Sequence, residues 1–375
     1  MHPLRTLLLA ALAAAPLGCA TTGALAPTAH NPKKPVRNVV FVVGDGMGLT
    51  QITAGNYAGG NRTVFERFPI VGLHKTHSAD DLITDSAAGA TAFATGEKTD
   101  NGAVSVDPEG APLRTLFEEG EDRGYASGLA VTSTITHATP ACFYAHDDSR
   151  QHYEAIAEDL ALSDVDLAIG YGLEQFNARA DGRDLVQVME ERGVRVHTRL
   201  DDLKVRRKER QAVLLPGTEP PRVGERPFDF LRQASLAALE QLEAGKEPFV
   251  LVIEASQIDW GGHANDAEWV VAEQLELERT LQAVLDWVEA DGHTLLVVTA
   301  DHETGGLAID EGGNGYTATG GRAEDYAFGT SFTTGGHTAT MIPIFAAGPS
   351  AELFAGVYDN TAIHAKLRTA LGWTD

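Results

Sequence analysis

Glu254, Asp259 and His263 lie within ten residues of one another, and each can bind a divalent cation. They follow the apolar run Phe249 to Ile253, which reads as a fully buried strand. A spacing of four puts Asp259 and His263 on one face if that segment turns helically. Gly261 and Gly262 argue instead for a loop, and a loop is the expectation. Alone, the segment is equally well a strand end followed by polar loop, so other segments must supply the remaining ligands. Two other apolar runs do end in such groups. Val36 to Val43 leads into Gly44–Asp45–Gly46–Met47–Gly48, and Leu295 to Thr299 leads into Ala300–Asp301–His302–Glu303. A glycine-rich stretch from Gly305 to Gly336 then delivers His337. Asp45, Glu254, Asp259, His263, Asp301, His302 and His337 offer nitrogen and oxygen donors and no thiolate. That set suits zinc, with magnesium where only oxygens meet. Paired zinc sites with open positions point to hydrolysis, since a bound metal acidifies water and polarises a phosphoryl oxygen.

Other segments could carry the organic half of such chemistry. In Thr84–Asp85–Ser86–Ala87–Ala88–Gly89–Ala90–Thr91–Ala92, Thr84 or Asp85 is a good helix cap and the alanines favour helix. Ser86 then sits in a first turn whose free amides favour negative charge, as suits a serine that ionises or carries a phosphoryl group. By itself it reads rather as one more small residue in a packed helix start. Arg150 is either a surface arginine ahead of a helix at Tyr153 to Leu160 or a bidentate phosphate ligand. The Gly44 to Gly48 turn mimics a dinucleotide fingerprint. However, Leu49 stands where a third glycine belongs, and Asp45 would face a pyrophosphate with a carboxylate. That reading is rejected.

These residues need a frame that gathers them. Strand-like runs at 36–43, 125–131, 166–169, 194–197, 212–215, 249–253, 295–299 and 342–346 alternate with helical patterns at 231–242, 266–288 and 361–371. Such alternation implies an α/β fold with a mostly parallel central sheet flanked by helices on both faces. Strand carboxyl ends share one edge of such a sheet, where ligands bind. One strand ending in a ligand means little, but three argue for a single site. Pro140, after Thr136–His137–Ala138–Thr139, is expected to end extended structure there. Residues 164–248 read as structural, with Arg206 to Arg210 a solvated charge run.

The 375 residues carry 29 basic and 53 acidic side chains, a net charge of −24 that makes a nucleic-acid-binding face implausible. It also repels anions at long range, so a phosphate site must be locally positive. Residues 1–19 form an export signal too short to span a membrane. Leu17–Gly18–Cys19 is similar to a lipobox, which makes Cys19 a candidate lipid anchor and places the protein in the periplasm or cell envelope. Pro16 departs from the lipobox pattern, and cleavage after Ala20 with secretion is the alternative. Residues 20–35 read as a flexible tether and 36–375 as the catalytic domain. Cys142 alone remains in the mature chain, so no internal disulfide supports the fold.

From about Val36 onward the sequence resembles the alkaline phosphatases, metal-dependent enzymes with a serine nucleophile. Asp85 to Ala92 matches that family's nucleophile segment; Thr299 to Glu303 and Gly336–His337–Thr338 match its zinc segments. The resemblance implies hydrolysis of phosphate monoesters through a phosphoseryl intermediate, with two zinc ions and one magnesium. It implies that Asp259, His263 and His337 hold one zinc, Asp45, Asp301 and His302 the other, and Asp45, Thr139 and Glu254 the magnesium. Ser86 would be the nucleophile and Arg150 a clamp on non-bridging oxygens, with His137 and Trp260 near the phosphate. His137 stands where many members have aspartate, which removes a negative charge beside magnesium; Trp260 stands where they have lysine. The segment between His302 and His337 is short for the family's crown, so both a monomer and a homodimer are open. A sulfatase is excluded, because no Cys/Ser–x–Pro–x–Arg motif surrounds Ser86. A phosphodiesterase of the same superfamily, or a surface-anchored protein that binds metal or phosphate without catalysis, are the rival readings.

Overall fold

A computed structural model describes residues 34–227, 229–311, 316–317 and 327–373. The export signal, Cys19 and most of the tether lie outside the described residues. The strands in chain order are β1 (Asn38–Gly44), β2 (Ile70–Lys75), β3 (Ala126–Thr134), β4 (Leu167–Tyr171), β5 (Val194–His197), β6 (Arg210–Leu215), β7 (Phe249–Ala255) and β8 (Thr294–Thr299). After them come the short β9 (Glu303–Thr304), β10 (Leu307–Asp310), β11 (Tyr316–Thr317), β12 (Ala327–Phe332) and β13 (His337–Thr338), then β14 (Ile342–Ala347) and β15 (Gly356–Asp359). Ten of them form one sheet in the order β15-β2-β14-β8-β1-β7-β3-β4-β6-β5. Only β14 runs against the rest. The expected mostly parallel α/β sheet is therefore what forms.

Both faces of the sheet are buried, which explains why its central strands read as unbroken apolar runs rather than alternating ones. Val39, Phe41 and Val43 of β1 enter one core with Ala87, Phe93 and Ile363; Val40 and Val42 enter the other with Leu231, Leu277 and Leu281. The helices Ser86–Thr95 and Thr361–Leu371 cover the first face, while Phe230–Gly245 and Ala267–Asp291 cover the second.

Three local expectations are corrected. Gln257–His263 is a helix, not a loop. Its glycines serve close packing: a Cβ on Gly261 would lie 2.8 Å from the Val270 nitrogen, and one on Gly262 would lie 2.8 Å from the Thr304 oxygen. Pro140 does not end a strand; it sits inside the one-turn helix Ala138–Ala141, after β3 has already finished at Thr134. Proline is tolerated there because a first-turn nitrogen lacks an intrahelical acceptor in any case. The stretch after Gly305 is not all loop, since β10, β12 and β11 pair as a small antiparallel sheet.

Candidate metal and phosphate site

The site begins with register. β1 lies between β7 and β8, and Val43 is paired with both Glu254 and Thr299. The residues that end these strands therefore emerge at one level of one sheet edge: Asp45 after β1, Glu254 near the end of β7, and Asp301 with His302 after β8. Asp45 leaves β1 on a tight turn at Gly46, where φ is +73° and a Cβ would lie 2.6 Å from the Asp259 Cα, so no larger residue fits.

Three clusters form at this edge, each with one donor atom per residue within 4.8 Å of the others: Asp259, His263 and His337; Asp45, Asp301 and His302; and Asp45, His137 and Glu254. A fourth among the described residues, Asp147, Asp148 and His152, is largely exposed. Asp45 belongs to two of the three. Thr139 is buried, and its hydroxyl, like one oxygen of Glu254, has no hydrogen-bond partner.

The imidazoles are aimed from behind. His263 Nδ1 is 2.7 Å from the Gly335 carbonyl and His337 Nδ1 is 2.9 Å from the Thr84 carbonyl, so each Nδ1–H donates outward and each Nε2 faces the cluster. The two Nε2 atoms are 3.1 Å apart, a repulsive arrangement of lone pairs unless a proton or cation lies against them. His302 sets Nδ1 against the Thr304 hydroxyl at 3.2 Å, leaving Nε2 by Asp301 at 3.2 Å and Ser86 Oγ at 3.3 Å.

Charge balance points the same way. Burial, then the neighbouring carboxylates, hold Asp45 well above the usual carboxylate range. Burial likewise raises Asp301 and pushes Glu254 up to about 7. Burial opposes ionisation of Asp259 too, but hydrogen bonds from His263 and His337 outweigh it and hold that group well below its ordinary value. Asp259 in turn lifts His263 to about 9. Both oxygens of Asp45, with one each of Asp301 and Glu254, are buried without a hydrogen-bond donor. Burial lowers His302 and His137, but a pocket that raises Asp45, Asp301 and Glu254, raises His263 and His337 beside Asp259, and leaves buried acceptors bare is short of positive charge. Divalent cations fit that deficit and those donor atoms.

Ser86 is the first residue of its helix, as expected, and Asp85 is the cap, accepting from the Ala88 nitrogen at 3.0 Å. Its other carboxylate oxygen pairs with Arg150 at 2.9 Å. One side chain thus fixes both the serine's helix and the arginine opposite it. Arg150 is not the surface residue it could have been: it is mostly buried, and its second nitrogen lies 3.3 Å from His137 Nε2. Desolvation, then the charge of Arg150, lowers His137 to about 3, so the ring is neutral. Trp260 packs edge-on to His137 with centroids 6.0 Å apart.

Four contributors were not legible in the sequence. Thr304 donates to Asp259, while Ser133 and Ser256 donate to Glu254 at 3.1 and 2.7 Å. The tie between Asp85 and Arg150 was also missed. Single hydroxyls at strand ends carry no pattern, and a pair 65 residues apart carries no spacing signal. Residues 164–248, read as structural, also contribute a cavity wall. Thr218 to Glu225 wall a cavity of about 1100 Å³ that reaches His137 and Trp260.

Comparison with known proteins agrees with this geometry. The family model described as "Alkaline phosphatase" matches residues 36–331. Alkaline phosphatase 3 of Bacillus subtilis is 31% identical over 90% of this chain and 89% of its own. Alkaline phosphatase of Escherichia coli is 29% identical over 90% of this chain and 87% of its own. The alkaline phosphatase of the Antarctic bacterium TAB5 superposes with a TM-score of 0.85 at 36% identity, covering 91% of this chain and all of that one. Variants of the TAB5 enzyme with a histidine replaced by glutamate or aspartate are described with Mg bound in the M3 site.

Proposed function

The chain belongs to the alkaline phosphatase family, and from that premise we propose how its residues divide the work. The activity is hydrolysis of phosphate monoesters at a metal site. The complement proposed is two zinc ions and one magnesium. Asp259, His263 and His337 would hold one zinc, Asp45, Asp301 and His302 the other, and Asp45, Thr139 and Glu254 the magnesium, with His137 beside it. When bound, the zinc ions supply Lewis acidity to the attacking and departing oxygens.

Ser86 is the proposed nucleophile. Its Oγ attacks phosphorus as the bond to the alcohol oxygen breaks, leaving a phosphoseryl group; water then attacks that group and returns Ser86 with inorganic phosphate. The first-turn amides of the helix Ser86–Thr95 favour the negative charge that builds there. Arg150, oriented by Asp85, binds two non-bridging oxygens and offsets the −24 background where the dianion sits. The observation that carries this reading is the convergence of Ser86, Arg150 and three donor clusters on one sheet edge.

The test is Ser86→Ala with zinc content measured in parallel. Turnover of an aryl phosphate should fall on the order of 10⁴-fold while the metal stays bound. Activity that survives with full zinc content refutes the serine mechanism, and a faster rate on a diester than on its monoester refutes the substrate class. We propose in addition that the chain is exported, with Cys19 as a lipid anchor or cleavage after Ala20, and that it acts as a monomer or homodimer. Among the described residues no helix is long and apolar enough to cross a membrane.

A further inference from the structure

The cavity of about 1100 Å³ is not needed to hold a phosphate group, yet His137 and Trp260 in its wall border the phosphate site. One wall residue, His137, touches Arg150 at 3.3 Å. Another, Trp260, is three residues before His263 on the helix Gln257–His263, so it neighbours His263 on the helix surface. Trp260 therefore links the cavity wall to the helix that carries Asp259 and His263.

The walls have a definite chemistry. Trp260, Trp269 and Tyr153 present rings, and Glu154, Glu219 and Glu225 present carboxyl groups. Arg222 is the one basic wall residue, and it is already engaged: its Nε is 3.3 Å from Glu225, a second nitrogen is 3.7 Å from Asp266, and its guanidinium lies over Trp269 at 5.5 Å. That last contact shows that a wall ring accepts a cation on its face. Trp269 is held in place by the cap of its helix, where Asp266 accepts from its nitrogen at 3.1 Å, and by its indole N–H, which donates to Glu273. Rings that bind cations on their faces, acidic groups in excess and a wall shared with the border of the phosphate site make a coherent set.

We propose that this cavity is the subsite for the organic part of the substrate and that it selects phosphate monoesters whose alcohol carries a cationic group, such as a quaternary or protonated amine. The inference rests on the phosphomonoesterase reading above. It is distinct from the long-range field of the protein, because it depends on two or three local carboxylates out of 53 acidic residues. A second anionic group on the alcohol is correspondingly disfavoured.

The experiment compares choline phosphate with 3,3-dimethylbutyl phosphate, its uncharged carbon isostere, in wild type and in Glu219→Gln/Glu225→Gln. Both positions are exposed, so the fold is not at stake, and the net charge moves only from −24 to −22. The readout is the ratio of kcat/KM for the two esters at low ionic strength. Any intrinsic difference in their reactivity cancels between the two proteins. The ratio should fall by about tenfold in the double variant, the change that a loss of about 1.4 kcal/mol produces. An unchanged ratio overturns the subsite while leaving phosphatase activity intact. No hydrolysis of p-nitrophenyl phosphate by the wild type overturns the functional reading, and this inference with it.

Discussion

Replacing His137 with aspartate tests the electrostatics of the third cluster. The neutral imidazole sits with Asp45 and Glu254, all three donor atoms within 4.8 Å of one another. Aspartate would add a charge there. At about 4 Å and an effective dielectric constant of about 20, two unit charges interact by about 4 kcal/mol. Without cations Asp45 is held protonated and Glu254 is only partly ionised near neutral pH, so the new carboxylate faces at most one like charge, with the Arg150 guanidinium within 3.3 Å of the His137 ring. Arg150 is already paired with Asp85, so a repulsion of up to about 4 kcal/mol stays uncompensated and lowers the stability of the metal-free protein. A divalent cation feels twice the unit attraction, about 8 kcal/mol gross, from which dehydration of both ions takes several kcal/mol. A residue of about 3 kcal/mol means magnesium binding tighter by about 100-fold. The expected signature is opposite shifts of Tm: downward in chelator and upward in saturating magnesium, relative to wild type. Calorimetric titration should show the tightened Kd directly. The aspartate also competes with substrate for Arg150, so KM should rise a few-fold. A magnesium Kd within twofold of wild type, together with an unchanged Tm in chelator, would refute the reasoning.

Trp260→Lys places a cation beside the phosphate position, so the inhibition constant for inorganic phosphate should fall about tenfold; an unchanged constant removes Trp260 from product release. Glu278, on the helix Ala267–Asp291, is pushed up to about 7 by burial although Val64 N–H donates to it. The folded state therefore holds a proton that the unfolded chain has released, and stability is lost as pH rises from about 4.5 through about 7. Glu278→Gln should gain up to about 3 kcal/mol relative to wild type between pH 5 and pH 8, read from denaturant melts; parallel stability curves would refute the assignment. Because the exterior is acidic, salt added from 10 to 150 mM should raise kcat/KM for a dianionic ester several-fold by screening repulsion. A flat or falling dependence would mean that the surface field does not reach the site.

The sequence by itself determined what depends on neighbouring residues. Apolar runs long enough to be buried on both faces specified the central strands, Asp85 and the alanines specified the helix that carries Ser86, and the ends of three strands advertised metal-ligand chemistry. It also bore the family's motifs, which identified the chemistry more sharply than any spacing. Tertiary structure decided what depends on contacts between distant segments. Only strand order puts β1 between β7 and β8, which makes Asp45 a member of two clusters rather than one. Only packing against Val270 and Thr304 turns Gly261 and Gly262 from loop formers into helix residues, and so settles Asp259 and His263 on one helical turn. The link between Asp85 and Arg150 and the cavity wall at Thr218 to Glu225 have no local signature at all. Such contacts are fixed by how the elements pack, and local composition is silent about which surfaces meet.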